Sequence, residues 1–445
     1  MHLRALWLLC PFVDSDQIVL PNRFADELRS LEELSFPKAF QTDFFTEYPG
    51  FEAYAHGLKN DWFIQELARV KLTQSLNLVT HDLVDETTAS LHDIFGEDSE
   101  WHTTMLKQDV AELVARLSSR VFLGLPLCRN RRWLDIAKDY TIDSFFGSQL
   151  LREYPAIIRP IMYWFNPYCT RLRAQVRDAR KLIDPEVEKR VARVKKALEA
   201  GQKPPKTADM IGWMHEVARG DEVDYVALQL GLSVAAIHTT TETTTQALVD
   251  ICRNPEIVGP LREEIISVIS ESGWTKAMLQ KLRLMDSFLK ESQRFTPMAA
   301  VSMNRYVQRK IELSDGTVIP KGSRLSVAGA YADPAVYENP EKFDAFRFAR
   351  KRLEPGQTNT WGHVATSPSH MLFGHGQHAC PGRFFASNEI KVALCHLLLK
   401  YDFDLLDGEA PPAYRVEGSH SVSLEGKIRM RRRKEEINLD LEEKL

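Results

Sequence analysis

The chain has 445 residues, of which 44% are hydrophobic and 27% are charged, so its composition excludes a disordered or fibrous protein. Its 57 basic and 61 acidic side chains give a formal net charge of −4, which is not the charge balance of a nucleic-acid-binding protein. The six cysteines are too few and too irregularly spaced for a disulfide framework or a zinc site, and they favour a reducing compartment.

The chain begins with a short apolar segment. Residues 5–13 carry no charge, but a membrane-spanning helix needs about 20 apolar residues, so this run predicts none. Arg4 before the run leaves a secretory signal open. No small-residue cleavage site follows, and Asp14 and Asp16 come at once, which favours a buried or surface-lying segment.

Helical signals dominate the rest of the chain. A short strand is predicted at 17–20, and two more at 311–313 and 317–319 flank a Ser-Asp-Gly turn. Residues 333–371 show almost no periodicity, and a loop of that length is usually functional. The sequence therefore predicts a mainly α fold with minor β structure. Helices are predicted over 106–123, 171–200, 223–253, 257–272, 279–295 and 384–399.

The glycine-rich segment 373–382 runs directly into the last of these helices. Gly374 and Gly376 allow the backbone to turn tightly or to lie against a flat ligand. Cys380 comes at the helix start, with Pro381 at the first helical position, where free N–H groups and the helix dipole stabilise a thiolate. The segment indicates a single anionic sulfur ligand; an inert buried cysteine in a glycine-rich turn is the alternative.

A second unusual segment lies inside the helix predicted over 223–253. Residues 239–245 read Thr-Thr-Thr-Glu-Thr-Thr-Thr, although each Thr costs a helix about 0.5 kcal/mol relative to Ala. Such a departure within a core helix often marks a functional site. The alternative is that the hydroxyls bond to carbonyls four residues earlier, and we expect this of most of the six. Farther on, Glu291 and Arg294 form an acid–base pair on one helix face, which alone indicates little.

Together these segments resemble the motifs of the cytochrome P450 family, in the family's order. Residues 235–240 resemble the oxygen-activating stretch of the central helix, with Thr239 as the proton-delivering residue and Thr240 as the reserve candidate. Glu291 and Arg294 resemble the family's helix pair, which Arg347 would complete as a buried structural triad. The segment before the last helix resembles the haem-binding loop, with Cys380 as the axial ligand of the haem iron and the cofactor-binding residues Phe373, Gly374, Gly376, His378 and Gly382.

The resemblance implies one haem-binding cytochrome P450 domain over 17–445, after an N-terminal remnant, 1–16, that lacks a full membrane anchor. It implies haem b as cofactor, O2 as co-substrate, electrons from an NADPH–cytochrome reductase and a small hydrophobic substrate. Residues 305–322 resemble the family's sheet region, in which Arg305 is a further cofactor-binding candidate. A substrate-lining turn is expected, with core packing as the alternative, at Met298, Ala299, Ala300 and Val301.

The sequence departs from the family pattern at several positions. His238 stands where the family usually has a carboxylate, and we expect it to act as a proton relay; packing is the alternative. His378 replaces the commoner Arg and is expected to pair with a haem propionate. Trp101 should open a helix with a basic residue four positions later, but Met105 stands there. A haem contact of Trp101 is therefore left open, and Lys107 is a weaker candidate.

The segments Ala-Ile-His-Thr-Thr, His-Ala-Cys-Pro-Gly-Arg-Phe-Phe-Ala and Leu-Pro-Asn-Arg-Phe-Ala-Asp-Glu resemble a fungal secondary-metabolism branch that includes ent-kaurene oxidase and indole-diterpene and meroterpenoid monooxygenases. The resemblance implies hydroxylation or multistep oxidation of a terpenoid. A haem-thiolate isomerase or dehydratase that works without O2 is one alternative, and a truncated, non-catalytic haem-binding product is another. Location stays open between the endoplasmic-reticulum membrane surface and, if the short N-terminus is genuine, the cytosol.

Overall fold

Helices form most of the structure, a computed structural model that describes residues 8–12, 15–59, 61–203, 209–416 and 418–441. The predicted mainly helical fold class is confirmed. Residues 1–7 of the N-terminal segment lie outside the described residues. The α-helices are α1 (Ala25–Leu28), α2 (Phe36–Asp43), α3 (Glu52–Lys59), α4 (Asp61–Gln65), α5 (Leu76–Phe95), α6 (Leu106–Phe122), α7 (Arg131–Arg152), α8 (Arg159–Phe165), α9 (Pro167–Glu199), α10 (Met210–Ala218), α11 (Tyr225–Arg253), α12 (Val258–Ser272), α13 (Lys276–Lys281), α14 (Arg283–Phe295), α15 (Arg347–Lys351) and α16 (Arg383–Lys400).

The strands are short and form small sheets at the edges of the helical body. The largest has the order β1-β2-β8-β5-β3, in which β2 and β8 run parallel and Leu20 lies opposite Val327. The others are β4-β12-β9, the hairpin β10-β11 and the predicted hairpin β6-β7. The strands are β1 (Leu8–Phe12), β2 (Ser15–Leu20), β3 (Leu34–Ser35), β4 (His102–Met105), β5 (Val301–Val307), β6 (Ile311–Glu312), β7 (Val318–Ile319), β8 (Arg324–Ala328), β9 (Tyr401–Leu405), β10 (Ala413–Val416), β11 (Ser419–Val422) and β12 (Lys427–Arg432).

One predicted helix, 279–295, is divided in two. Leu282 adopts a non-helical backbone (φ −71°, ψ 74°) between α13 and α14. The carboxylate of Glu264 on α12 then accepts hydrogen bonds from the N–H groups of Leu284 (2.7 Å) and Met285 (2.9 Å). A distant side chain thus caps the new helix, which is why the periodicity of this segment did not show the break.

The long helix α11 lies at the centre of the molecule. It packs against α6, α7, α3, α9 and α16, and its apolar residues before and after the threonine run are buried, including Leu230, Ile237 and Leu248. Asp224 caps its first turn by accepting from the N–H of Ala227. This position holds the threonine run against the middle of the fold, between the α16 side and the β5 edge.

Candidate active site

Cys380 lies in a turn that leads directly into α16. Its N–H donates to the carbonyl of Phe373 (2.7 Å), and its own carbonyl accepts from the Arg383 guanidinium (2.8 Å). The prediction that Pro381 occupies the first helical position is wrong. The helix begins at Arg383, and Pro381 lies in the turn before it. Burial raises the pKa of the Cys380 thiol, while the backbone N–H groups of Gly382 and Arg383 oppose that shift. Iron bound at this sulfur would deprotonate it outright.

The two glycines of the loop are required by its backbone. Gly374 and Gly376 have φ values of +70° and +75°, which favour glycine. A Cβ on Gly374 would lie 3.2 Å from the His378 carbonyl oxygen, and a Cβ on Gly376 would lie 2.6 Å from the Arg29 carbonyl oxygen. The loop therefore folds tightly enough to bring Cys380 back beside Phe373, the arrangement predicted for a ligand-bearing turn.

A cavity of about 240 Å³ lies between this loop and the start of β5. It brings together six of the twelve predicted cofactor and substrate residues outside α11, and Cys380 is not among them. Ala300 does not line it; its backbone N–H instead donates to the Gly418 carbonyl (2.7 Å). The residues lining the cavity are Phe36, Met298, Ala299, Val301, Ser302, Met303, Asn304, Arg305, Met371, Leu372, Gly374 and His378.

The guanidinium of Arg305 makes this cavity suitable for an anionic group. Arg305 is 4% exposed and pairs with no carboxylate among the described residues; it donates to the Asn304 carbonyl (2.8 Å) and lies over the Phe36 ring. Burial lowers its pKa to about 10. Because an unpaired buried cation is costly, the site fits a bound carboxylate, such as a haem propionate. His378 lines the same cavity, with its ring 5.9 Å from that of Phe36.

On α11, the side chain of Thr239 lies on an open face and that of Thr240 is buried. The Thr239 hydroxyl donates to the carbonyls of Ala235 (2.9 Å) and Ala236 (3.3 Å), so its oxygen remains able to accept a hydrogen bond from a water. The position of Thr239 on the open face of α11 therefore favours it over Thr240 as the proton-delivering residue.

The expectation that most of the six threonines bond back to the helix is wrong. Thr239 and Thr243 do so. The others are buried against neighbouring helices, and their hydroxyls have no partner among the described residues; they are Thr240, Thr241, Thr244 and Thr245. Packing of the methyl groups, not satisfaction of the hydroxyls, decides their orientation.

His238 points away from the open face. Its Nε2 lies 2.8 Å from the carbonyl oxygen of Lys138 on α7, and burial lowers its pKa. Successive residues are about 100° apart around a helix, so this contact turns the imidazole away from Thr239. The contact is the one expected of a packing residue, and a proton-relay role stays a prediction.

The expectation that Trp101 opens a helix is wrong. Trp101 precedes β4, and its ring is flanked by the guanidinium groups of Arg429 (5.4 Å) and Arg431 (4.8 Å) on the adjacent strand β12. Lys107 contacts Glu242 and donates to the backbone of β11. A haem contact of either residue stays a prediction, and local sequence could not reveal the pairing of β4 with β12.

The predicted triad residues meet in the interior. The Glu291 carboxylate accepts from Arg294 Nε and Nη2 (both 2.8 Å) and from Arg347 Nε (3.0 Å). It also accepts from the N–H of Asp344 (3.0 Å). The arginines continue outward to loop carbonyls, including that of Tyr331 (2.7 Å from Arg294). All three side chains are at most 6% exposed, so this network holds the loop that precedes the cysteine segment.

One basic residue near the cysteine loop was missed by the sequence analysis. Arg69 lies in the π-helical segment Glu66–Leu72, and its guanidinium donates to Gln65 (3.1 Å) and is exposed. Burial lowers the pKa of Arg383, the residue that bonds to the Cys380 carbonyl, and the charge of Arg69 lowers it further. No motif marked this residue.

Comparison with known proteins gives a consistent result. The sequence model described as "Cytochrome P450" matches residues 62–428. The chain is 46% identical to cytochrome P450 monooxygenase bsc2 of Alternaria brassicicola, over 95% of this chain and 81% of that protein. It is also 46% identical to cytochrome P450 monooxygenase hepE of Aspergillus oryzae (88% and 72% covered) and 40% identical to cytochrome P450 monooxygenase ptmU of Penicillium ochrochloron (95% and 83% covered).

Proposed function

The chain belongs to the cytochrome P450 family, and from this we propose that it oxidises a terpenoid, by hydroxylation or in several steps. Membership makes it a haem-thiolate monooxygenase of fungal secondary metabolism that uses O2 and electrons from a reductase. The terpenoid substrate is the proposed part. The observation that carries it is the apolar wall of the cavity beside the cysteine loop, formed by Met298, Ala299, Val301, Met303 and Met371.

Such a wall suits a rigid hydrocarbon skeleton. Thioether and methyl groups offer shape and no strong hydrogen-bond acceptors, so a ligand there is oriented by its outline. Met303 is 4% exposed and Met371 is fully buried, so the side chains at the base of the wall are closely packed. A polar substrate would leave its own groups unpaired against these residues, at a cost of about 1–3 kcal/mol for each group.

The residues present fit a haem. Cys380 would supply the axial sulfur, Arg305 and His378 would hold the propionates, and Gly374 would let the backbone lie close to the ring. When bound, the haem supplies the activation of O2 for insertion of oxygen into the substrate. The assignments of Arg305, His378 and Gly374 are supported by the cavity that they share and by the unpaired guanidinium of Arg305, and that of Cys380 is supported by its turn before α16.

Thr239 is proposed to hold a water on the open face of α11 and to pass its proton onward. Its hydroxyl hydrogen is directed to the Ala235 carbonyl (2.9 Å), which fixes the oxygen so that its lone pairs face the open side. His238 is the second candidate for this relay, but its contact with the Lys138 carbonyl (2.8 Å) turns the ring away from Thr239, so the proposal rests on Thr239.

We further propose that the protein rests on a membrane surface, where the reductase would also be bound. No helix within the described ranges is long and apolar enough to cross a membrane. The edge formed by α8 and the loop before it exposes Ile157 (86%), Phe165 (76%) and Trp164 (59%). Arg173 lies over the Trp164 ring at 4.7 Å, and a combination of aromatic rings and cations suits lipid headgroups.

The test of the substrate class is turnover with reductase, NADPH and a panel of cyclic diterpenes, beside fatty acids of similar size. Incorporation of one atom of isotopically labelled O2 into a terpenoid supports the proposal. Reductant-free conversion would indicate the isomerase or dehydratase alternative instead. The control is Cys380→Ser, which should abolish both turnover and the thiolate-type Soret band of the reduced carbon monoxide complex. A wild-type chain that takes up no haem would point to the non-catalytic alternative.

A further inference from the structure

Three elements meet at one ion pair beside the open face of α11. Lys107, in the first turn of α6, contacts Glu242 of α11 directly and donates to the hydroxyl of Ser421 on β11 (2.7 Å). Ser421 in turn donates to Glu242 (2.9 Å). The Lys107 and Glu242 side chains are 10% and 17% exposed. We call Lys107, Glu242 and Ser421 the latch.

The hairpin that carries Ser421 is joined on its other side to the turn at 298–301. The N–H of His420 donates to the Met298 carbonyl (2.9 Å), and Ala299 forms a β-bridge with Ser419. The hydrogen bond between Ala300 and the Gly418 carbonyl adds a third connection. The end of the β10-β11 hairpin and the turn therefore form one continuous layer along the cavity.

The latch attaches this layer to the helix that carries Thr239. Glu242 lies three residues after Thr239, almost one turn along α11. Other contacts also hold this layer: Lys107 donates to the Val422 carbonyl (2.9 Å), and the Gly329 N–H donates to the Ala300 carbonyl (2.9 Å), which joins the turn to the large sheet. The latch is a side-chain connection between the hairpin and α11, so Lys107 and Glu242 contribute to the position of the wall relative to Thr239.

We propose that Lys107 and Glu242 are positioning residues that set the gap between the cavity wall at 298–301 and the Thr239 face of α11, and so select ligands by size. The inference rests on the monooxygenase site of the proposed function but not on its terpenoid substrate. A shielded pair of this kind is sensitive to loss of one partner, because the remaining charge is left in a poorly hydrated place. A fully exposed pair contributes little.

The test uses the haem-loaded full chain with Glu242→Gln. Hydrogen exchange should rise about tenfold in peptides covering 298–301 and 413–422, because their attachment to α11 opens more often. Dissociation constants are read from the Soret shift with imidazole, which is small, and with a bulky triaryl imidazole. We expect the imidazole value to change less than about twofold and the bulky ligand's value to change about fivefold or more, since only the latter fills the gap.

The matched control is Glu112→Gln. Glu112 and Lys138 form a similar pair between α6 and α7, with side chains 16% and 19% exposed, and the pair lies outside the contacts of the β10-β11 hairpin among the described residues. In the Glu112→Gln variant, the hydrogen exchange and the two dissociation constants should equal those of the wild type. A merely stabilising role for the latch would lower the melting temperature in both variants but leave the ratio of the two dissociation constants unchanged.

Two outcomes decide the matter. The charge-swapped double variant, Lys107→Glu with Glu242→Lys, should restore the wild-type ratio and the slow exchange. If Glu242→Gln behaves like Glu112→Gln in both readouts, the proposal is overturned. Should Glu242→Gln not fold, Ser421→Ala removes only the hairpin's own hydroxyl, and unchanged exchange and binding in that variant overturn the proposal equally. Ligand binding needs no turnover, so failure of terpenoid oxidation would not affect this test.

Discussion

The Cys380 side and the Thr239 side of the site are held together by different interactions. Behind Cys380, the buried carboxylate of Glu291 accepts four hydrogen bonds, and its two arginines bond onward to the loop. On the Thr239 side, hydroxyls of neighbouring threonines lack partners among the described residues, and the β10-β11 hairpin reaches α11 through the ion pair at Glu242 and the hydroxyl of Ser421. The loop network around Glu291 is therefore redundant and charged, whereas the connection between the hairpin and α11 uses one ion pair and one hydroxyl.

The largest expected effect comes from breaking the redundant side. Glu291→Gln leaves the guanidinium groups of Arg294 and Arg347 without a counter-charge in the interior, which should lower the free energy of unfolding by about 3–5 kcal/mol. Urea unfolding, together with haem retention after gel filtration, measures the loss. The control is Glu216→Gln, because Glu216 pairs with Lys71 at the surface; that change should cost about 0–1 kcal/mol. Equal losses of unfolding free energy in the two variants would contradict a stabilising role of the triad.

A second effect concerns a lone buried acid on the Cys380 side. Glu389 on α16 is fully buried, accepts from the Ser118 hydroxyl (2.7 Å), and has its pKa raised by burial to about 8. Because the folded-state pKa lies above the ordinary value of 4.5, its stabilising contribution is complete below pH 4.5 and is lost as the pH rises toward 8.

Glu389→Gln should therefore be more stable than the wild type at pH 8, by about 1–3 kcal/mol, and the advantage should shrink toward pH 5. Urea denaturation of both proteins at the two pH values provides the measurement. An advantage that does not depend on pH would show that Glu389 is not the titrating group. Glu389 would then resemble a carboxylate with charged partners, such as that of Glu291.

The smallest effect separates two neighbouring threonines on the open side. Thr239→Ala removes the hydroxyl on the open face of α11, so NADPH oxidation should continue while the fraction of electrons released as hydrogen peroxide rises about tenfold. Thr240→Ala changes a buried hydroxyl and should leave that fraction within about twofold of the wild-type value. Peroxide and NADPH are quantified in the same reaction with reductase. Tight coupling in Thr239→Ala would contradict the proposed proton delivery.

Sequence alone identified the family, the mainly helical fold class and the tight turn before α16. The turn could be predicted because its signal is local: Gly374 and Gly376 are required by positive φ values, and Cys380 follows them shortly before α16 begins. The hairpin at 311–319 was predictable for the same reason, since a Ser-Asp-Gly turn lies between its strands.

What depended on distant residues was decided only by the tertiary structure. The break at Leu282 follows from Glu264 on another helix, and Trp101 precedes a strand and not a helix because β4 pairs with β12. The latch joins Lys107, Glu242 and Ser421 across 314 residues of chain, although nothing in the neighbourhood of any one of them predicts the others. Local backbone preferences can be read from a few adjacent residues, but the partner of a buried charge is set by whichever elements pack around it.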